Sequence, residues 1–252
     1  MTRKTVRNVV IVAGAVAMAI VSTMWNLGCS AVGIRTWEER AHRTVLDEGR
    51  YELRVYEPAL IARATSDKPF DEASDETFGK LGGFIFGKNA EGESIAMTMP
   101  VERVALEPGG PADASAGTPP ANAEGALVSS DRNRRRWQMA FFMPGKYTRE
   151  TLPTPNTDAV QIDELEPETL AIYRYSGVQH EDDLARHEAG LREWIRAKGY
   201  EATGPARLAA YDPPWTMPFL RRNEVLIPVR EPGADPEPAE APVQFFPPRQ
   251  PS

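Results

Sequence analysis

The order of hydrophobic and polar positions over residues 45–230 predicts strands and helices in the arrangement β-α-β-β, and this arrangement occurs twice. The first half has the opening strand YELRVYEPALIARATS, the helix DEASDETFGKLGGFIFG, and the strands SIAMTMPVERVAL and RRWQMAFFMP. The second half has AVQIDELEPETLAIYRYSG, HEDDLARHEAGLREWIRAKG, ARLAAYDPP and NEVLIPV in the same roles. Both opening strands contain a Glu-Pro break followed by an aliphatic run, which indicates an internal duplication.

The periodicity supports these elements. Trp137, Met139, Phe141 and Met143 alternate onto one face of a strand, as a half-buried strand requires. The second helix carries apolar residues at helical spacing, with acidic residues at its start and a Lys-Gly pair at its end. We therefore expect Met139 and Met143 to be core residues.

The first helix has an unusual glycine content. Phe78, Leu81 and Ile85 follow helical spacing, but three glycines lie between residues 79 and 83. Each interior glycine costs about 1 kcal/mol relative to alanine. A helix that keeps them indicates that another body, either a sheet or a planar ligand, approaches this helix closely.

The segment AAYDPPWTMPFLRRNEVLIPV begins and ends as a strand, but its prolines prevent regular pairing in between. Two interpretations are open for its large apolar residues. They pack a proline-rich turn onto the domain, or they form the rim of a pocket for a flat apolar ligand. The pair Arg221-Arg222 is either a solvated turn with one arginine bound to Glu224, or a partner for ligand carboxylates.

Composition narrows the classes of function. The chain has 252 residues and a net charge of −7, which argues against a nucleic-acid partner. A single cysteine excludes an intrachain disulfide, and the three histidines lack the spacing of a metal site. Residues 107–131 and 231–252 are of low complexity, so we predict a disordered insertion and a disordered tail.

The N-terminal residues MTRKTVRNVVIVAGAVAMAIVSTMWNLGCS have the basic and apolar regions of an export signal. Cys29 follows Gly28, the arrangement at which lipoproteins are acylated and cleaved, so residues 1–28 are predicted to be an export signal or a membrane anchor. An uncleaved membrane helix and a soluble secreted form stay open. Each form places the protein outside the cytoplasm, on the periplasmic side, and the favoured ones attach it to the membrane. Residues 29–44 are then a linker.

The motifs YELRVYEPALIARA, MTMPV and above all YDPPWTMPFLRRNEVLIPV resemble the SOUL/heme-binding protein family over residues 45–229, with residues 107–131 as a departure. The resemblance implies an α+β fold in which a duplicated βαββ unit forms a distorted antiparallel β-barrel flanked by two helices. It also implies binding of heme or another tetrapyrrole in a shallow hydrophobic groove between the first helix and the proline loop.

Carried over to this chain, the resemblance implies groove residues on the helix and on the loop. These cofactor-binding candidates are Phe78, Leu81, Gly82, Ile85, Trp215, Met217, Phe219, Leu220 and Arg221. Lys80 and Arg222 are further candidates for binding a ligand carboxylate. His42 is expected to be exposed in the linker, and His187 to face the sheet from the second helix.

The leading hypothesis is therefore a binding protein for heme, acting in carriage or buffering, and not an enzyme. A binding domain for other amphipathic small molecules and a structural lipoprotein without a ligand are the alternatives. A hydrolase would need a base or nucleophile in the same cleft. Glu57, Glu166 and Tyr211 lie in suitable strands, but no Ser/His/Asp arrangement accompanies them. The oligomeric state is left open.

Overall fold

The computed structural model describes residues 37–106 and 136–231 of the chain. Its helices are α1 (Phe70–Ile85) and α2 (Glu181–Ala197), with a 3₁₀ turn at Pro218–Leu220. Its strands, in chain order, are β1 (Glu38–Glu39), β2 (His42–Glu48), β3 (Tyr51–Tyr56), β4 (Ala59–Ser66), β5 (Thr98–Met99), β6 (Val101–Leu106), β7 (Arg136–Phe142), β8 (Gln161–Leu165), β9 (Glu168–Tyr175), β10 (Glu201–Ala202), β11 (Arg207–Ala210) and β12 (Asn223–Arg230).

Three sequence predictions fall wholly or almost wholly outside the described residues. They concern the export segment with Cys29, the insertion at 107–131 and the tail from residue 231, and they stay predictions. Within residues 37–106 and 136–231, no helix is both long enough and apolar enough to cross a membrane.

The main sheet is antiparallel and curls into a distorted barrel. Its strands lie in the order β2-β3-β9-β12-β11-β6-β7-β4-β8, and β10 adds to β12. Helix α1 packs over β4 and β7, and helix α2 packs over β9 and β12. A short parallel pair, β1 with β5, lies apart from this sheet. The predicted α+β fold, a barrel flanked by two helices, is confirmed.

The duplication is visible as a symmetric strand order around the central pair β6–β11. On either side of this pair β7 matches β12, β4 matches β9 and β8 matches β3. Each predicted opening strand is two strands, because the chain leaves one partner at Glu57-Pro58 and at Glu166-Pro167 and joins another. Strand β3 pairs with β9 of the second half, and β8 pairs with β4 of the first half. The two halves are therefore interlocked.

The folded region begins earlier than the sequence indicates. Residues 29–44 are predicted to be a linker, but β1 and the start of β2 lie within them. Strand β2 is an edge strand with almost every residue exposed, so it has no alternating pattern of apolar residues. Backbone pairing with β3 holds it in place instead, and the side-chain pattern carries no sign of that pairing.

A fully buried carboxylate, that of Glu224 on β12, lies at the centre of the domain. Arg54 donates to both carboxylate oxygens at 3.0 Å, Arg222 donates from 3.0 Å, and the hydroxyl of Tyr211 donates from 2.7 Å. Burial alone raises the pKa of Glu224, but the charges of Arg54 and Arg222 outweigh it and keep the pKa below its usual value. The predicted pairing of one arginine of the RRNE turn with Glu224 is confirmed for Arg222.

Replacing Glu224 by glutamine should destabilise the protein by about 3–5 kcal/mol, because two buried guanidinium groups then lose a negative charge. The melting temperature should fall by about 10 °C in a calorimetric scan. Glu201→Gln is the matched control, because Glu201 forms an exposed ion pair with Arg230 at the end of the same strand. The control should lose less than about 1 kcal/mol.

The stability difference between wild type and Glu224→Gln should depend on pH. A carboxyl group with a lowered pKa stabilises the folded state above its unfolded pKa, near 4.5, and loses that contribution as the pH falls through the folded value. Chemical unfolding at several pH values should show a constant difference above pH 5 and a shrinking one in acid. An unchanged difference in acid would contradict this account of Glu224.

Candidate functional site

An exposed aromatic stripe runs along α1 and just past its end. Phe78, Gly82 and Phe86 are four residues apart, so they lie in one row on the helix surface. The Phe78 ring is 45% exposed and the Phe86 ring 68% exposed. A Cβ atom placed on Gly82 would lie 3.9 Å from the Phe78 ring and 3.8 Å from the Phe86 ring. The two rings therefore cover Gly82, which is itself buried, and the exposed surface here is that of the rings.

The other two glycines of the helix extend this surface. A Cβ on Gly79 would meet nothing within 4 Å, and one on Gly83 would meet only the flexible side chain of Lys88. Among the described residues, no strand or helix approaches the two glycines. The glycines were expected to allow close approach of either a sheet or a planar ligand. In the described structure, no sheet lies against Gly79 or Gly83. That leaves bare helix backbone beside two exposed rings.

Leu81 and Ile85 do not belong to this surface, although both are predicted groove residues. Their exposed fractions are 0% and 1%, and they pack in the core with Met139 and Phe141. The reason is helical geometry, because successive residues are about 100° apart and the row of Leu81 and Ile85 faces the sheet. These two residues support the exposed stripe from beneath.

Phe86 is a functional candidate that the sequence analysis missed. It follows the last residue of α1, and its backbone N–H donates to the Gly82 carbonyl at 2.9 Å. Its position eight residues after Phe78 could have identified it, because that spacing returns to the same face after two turns. The resemblance to known motifs instead implied Leu81 and Ile85 as groove residues near this end of the helix.

The proline loop between β11 and β12 displays its large apolar residues outward. Trp215 is 52% exposed, Met217 41% and Phe219 69%. These three predicted groove residues therefore present apolar surface, as the pocket-rim interpretation requires. Leu220 is half-buried at the end of the 3₁₀ turn.

Arg221 holds this loop together from within. Its guanidinium donates to the Thr216 carbonyl at 2.8 Å and to the Pro214 carbonyl. Prolines lack the N–H that would otherwise tie such a segment together, so the side chain supplies donors. Arg221 is therefore a brace of the loop, and its role as a partner for a ligand carboxylate stays a prediction.

The stripe and the loop lie at the same end of the sheet. The Phe78 ring contacts the Phe141 ring at 5.4 Å between centroids. Phe141 pairs with Val101, and Val101 pairs with Ala210, the last residue before the loop. Helix α1 runs towards this end, so Gly82 and Phe86 lie beyond Phe78 in the direction of the loop. We call these two surfaces together the apolar end: the stripe of Phe78, Gly82 and Phe86 and the loop of residues 212–221.

The other candidate residues lie elsewhere. His187 stacks on Tyr173 and faces the sheet, as predicted, and His42 is exposed on β2 beside Tyr56. Tyr211 is buried on Glu224, whereas Glu57 and Glu166 are exposed on the two turns between opening strands. The three residues weighed for hydrolysis are thus not brought together. The remaining basic candidate, Lys80, pairs with Glu76 at 2.7 Å.

The interlocked halves, each with one helix, together with the apolar end, define the class of protein: a duplicated α+β barrel with an exposed apolar surface. The chain belongs to the SOUL family, because the sequence model of that family, described as "SOUL heme-binding protein", matches residues 38–228. Heme-binding protein 1 of Mus musculus is 30% identical over 179 residues, which cover 70% of this chain and 83% of that protein. Heme-binding protein 1 of Bos taurus is 28% identical over 178 residues, covering 70% and 82%.

Solved structures show the same fold at low sequence identity. The C-terminal domain of EcmrR superposes with a TM-score of 0.50 at 12% identity, covering 72% of this chain and 97% of that domain. EcmrR in a complex with DNA gives a TM-score of 0.51 at 10% identity, covering 91% and 68%. At such identity the likeness concerns the fold alone.

Arg221→Gln should loosen the proline loop without unfolding the domain, because it removes donors to two loop carbonyls. Hydrogen exchange at residues 215–221, followed by mass spectrometry, should become faster, while the melting temperature stays within a few degrees. Arg149→Gln is the control, since Arg149 donates to the Ile162 carbonyl on another part of the surface. Unchanged exchange in the loop of Arg221→Gln would show that other contacts hold it.

Proposed function

We propose that this protein binds heme or a related tetrapyrrole at the apolar end, as a carrier or buffer without catalytic activity. One observation carries the proposal: Phe78 and Phe86 expose apolar side chains on one face of α1, beside helix backbone that Gly79 leaves uncovered. The names of the family and of the curated relatives supply the ligand class. A porphyrin is flat and apolar on both faces, so it suits a surface that is open to close approach.

The chemistry of the apolar end sets the strength of binding. Burying apolar area contributes about 25 cal/mol per Å², so a few hundred Å² contribute several kcal/mol before the cost of association. Aromatic contacts with the porphyrin face add about 0.5–1.5 kcal/mol each. Binding by contact alone therefore corresponds to dissociation constants near the micromolar range.

Coordination of the heme iron by histidine is not part of this proposal. His187 lies against Tyr173 and Tyr175, and His42 lies against Tyr56. Neither contacts the stripe or the loop in any interaction that the structure records. Without a strong axial bond we expect a broad Soret band and moderate affinity.

Hemin titration of the purified protein, followed in the Soret region, should saturate at one equivalent. Phe78→Ser together with Phe86→Ser should weaken binding about tenfold or more, because both aromatic contacts are lost. Trp215→Ala should have a similar effect. Gly82→Leu should block binding by filling the gap between the rings, whereas Gly82→Ala fits within ordinary contact distances and should bind nearly as well.

Val45→Ser is the matched control, because Val45 is an exposed apolar residue on the distant edge strand β2. It should leave the titration unchanged, as should His42→Ala and His187→Ala. If a histidine variant abolishes the Soret shift while Trp215→Ala binds normally, the ligand is held by a coordinate bond elsewhere. If hemin fails to saturate any form, a different amphipathic ligand becomes the better hypothesis.

We further propose that the protein acts outside the cytoplasm, attached to the membrane by lipid on Cys29 after removal of residues 1–28. The basic and apolar order before Gly28-Cys29 supports this. Mass spectrometry of the wild type should find a new N-terminus at Cys29 with added lipid mass. Cys29→Ala should remain uncleaved or leave the membrane fraction. If the variant and the wild type are both uncleaved and membrane-bound, the segment is a transmembrane anchor instead.

A further inference from the structure

A second concave site lies far along the sheet from the apolar stripe, beneath the first half of α2. It has a volume of about 420 Å³ and opens between the end of β9, the start of α2 and the turn from β2 to β3. We call it the basic cavity. Its lining residues are Arg50, Arg174, Tyr175, Ser176, Val178, Asp183, Arg186 and His187.

The basic cavity has more positive charge than its neighbours neutralise. Arg174 forms ion pairs with Glu52 and Glu224. The exposed Arg186 forms one with Asp183, with 3.5 Å between the guanidinium nitrogen and the carboxylate oxygen. Arg50 has no carboxylate partner among the described residues; its recorded side-chain contact is with the Tyr173 hydroxyl at 3.5 Å. The guanidinium of Arg50 is therefore uncompensated in the lining, which favours an anion.

The wall of the cavity also contains unused hydrogen-bonding capacity. Tyr175 is 7% exposed, and its hydroxyl, which lies beside the Gln179 side chain, makes no hydrogen bond of normal geometry within residues 37–106 and 136–231. The guanidinium of Arg174 does not add to this capacity, because it lies on the opposite face of the sheet, beside Glu52 and Glu224. A buried donor without an acceptor is unfavourable, so an acceptor that enters this region restores part of the lost hydrogen bonding.

His187 forms the aromatic side of the cavity. Its ring lies 4.8 Å from the Tyr173 ring and 4.5 Å from the Tyr175 ring. Burial, which outweighs the opposing charge of Asp183, lowers the pKa of His187 and keeps the imidazole neutral near pH 7. A neutral imidazole still offers one N–H donor to an anion.

The duplication provides an internal comparison. Aligning the two Glu-Pro breaks matches Ser66 with Tyr175, and aligning the buried helix positions Thr77 and Glu188 matches Glu76 with His187. In the first half, Ser66 donates to Glu76 at 2.8 Å, and Lys80 pairs with Glu76 at 2.7 Å. That junction is closed by its own side chains. The second half replaces the closed pair with two rings beside a basic cavity.

We propose that the basic cavity is a second ligand site, separate from the stripe of Phe78, Gly82 and Phe86, that binds a small oxyanion carrying a carboxylate or phosphate group. Arg50 and Arg186 supply the charge that attracts it. Tyr175 and His187 supply donors that fix its oxygens. Charge-assisted hydrogen bonds of this kind are the strong ones, and the fork of arginine matches both oxyanions.

The test uses the full-length protein at constant ionic strength, with inorganic phosphate and succinate as separate probes and chloride as the reference salt. Isothermal titration should show saturable 1:1 binding of at least one probe, and the two probes distinguish phosphate from carboxylate ligands. NMR spectra should show the His187 ring resonances moving with the same saturation. The double variant Arg50→Gln, Arg186→Gln should weaken binding at least tenfold.

Arg196→Gln is the matched control, because Arg196 is an exposed arginine on the same helix outside the cavity. It should bind the probe as the wild type does. The double variant Phe78→Ser, Phe86→Ser should also bind the probe normally, so this result is independent of hemin binding. The proposal is overturned if neither probe saturates, if the arginine double variant binds like wild type, or if the phenylalanine variant loses the probe.

Discussion

Two arginines and a tyrosine meet the buried carboxylate of Glu224, and the fold must hold their separate parts of the chain together for this to happen. Arg54 comes from β3, while Tyr211 and Arg222 come from the two ends of the proline loop. A buried ion pair contributes little net stability compared with apolar packing, but removing one partner is costly. Any other arrangement of the loop would leave one of these charges buried without a partner, so the loop is fixed at both ends.

This constraint explains how a segment rich in prolines can display large apolar residues. Its prolines cannot contribute to a ladder of backbone hydrogen bonds, and a free loop would collapse its apolar side chains onto the domain. Glu224 fixes the ends of the loop, and Arg221 binds two carbonyls within it. Trp215 and Phe219 therefore stay exposed on a braced loop. A braced apolar surface loses less conformational freedom when a ligand binds.

The interlocked duplication gives the protein two similar contacts between a helix and the sheet, and the side chains at the two contacts differ in chemistry. The first contact carries exposed phenyl rings and bare glycine backbone on the outer side of α1. The second carries the basic cavity under α2. Each half donates a strand to the other, so neither contact can form without the complete domain. One repeated architecture therefore supports two surfaces of different chemistry.

The sequence alone determined the duplicated order of elements, the two helices, the core methionines and the proline loop, because these follow from local periodicity and from the prolines. Glycine content and motif resemblance also predicted a ligand site near Phe78 and Trp215, and that site stays a prediction. Only the tertiary structure decided that each opening strand divides between the two halves and that β2 pairs at the edge. It likewise placed Leu81 and Ile85 inward. The physical reason is that strand partners and the inner face of a helix depend on contacts between residues distant in the chain, and local patterns do not record those contacts.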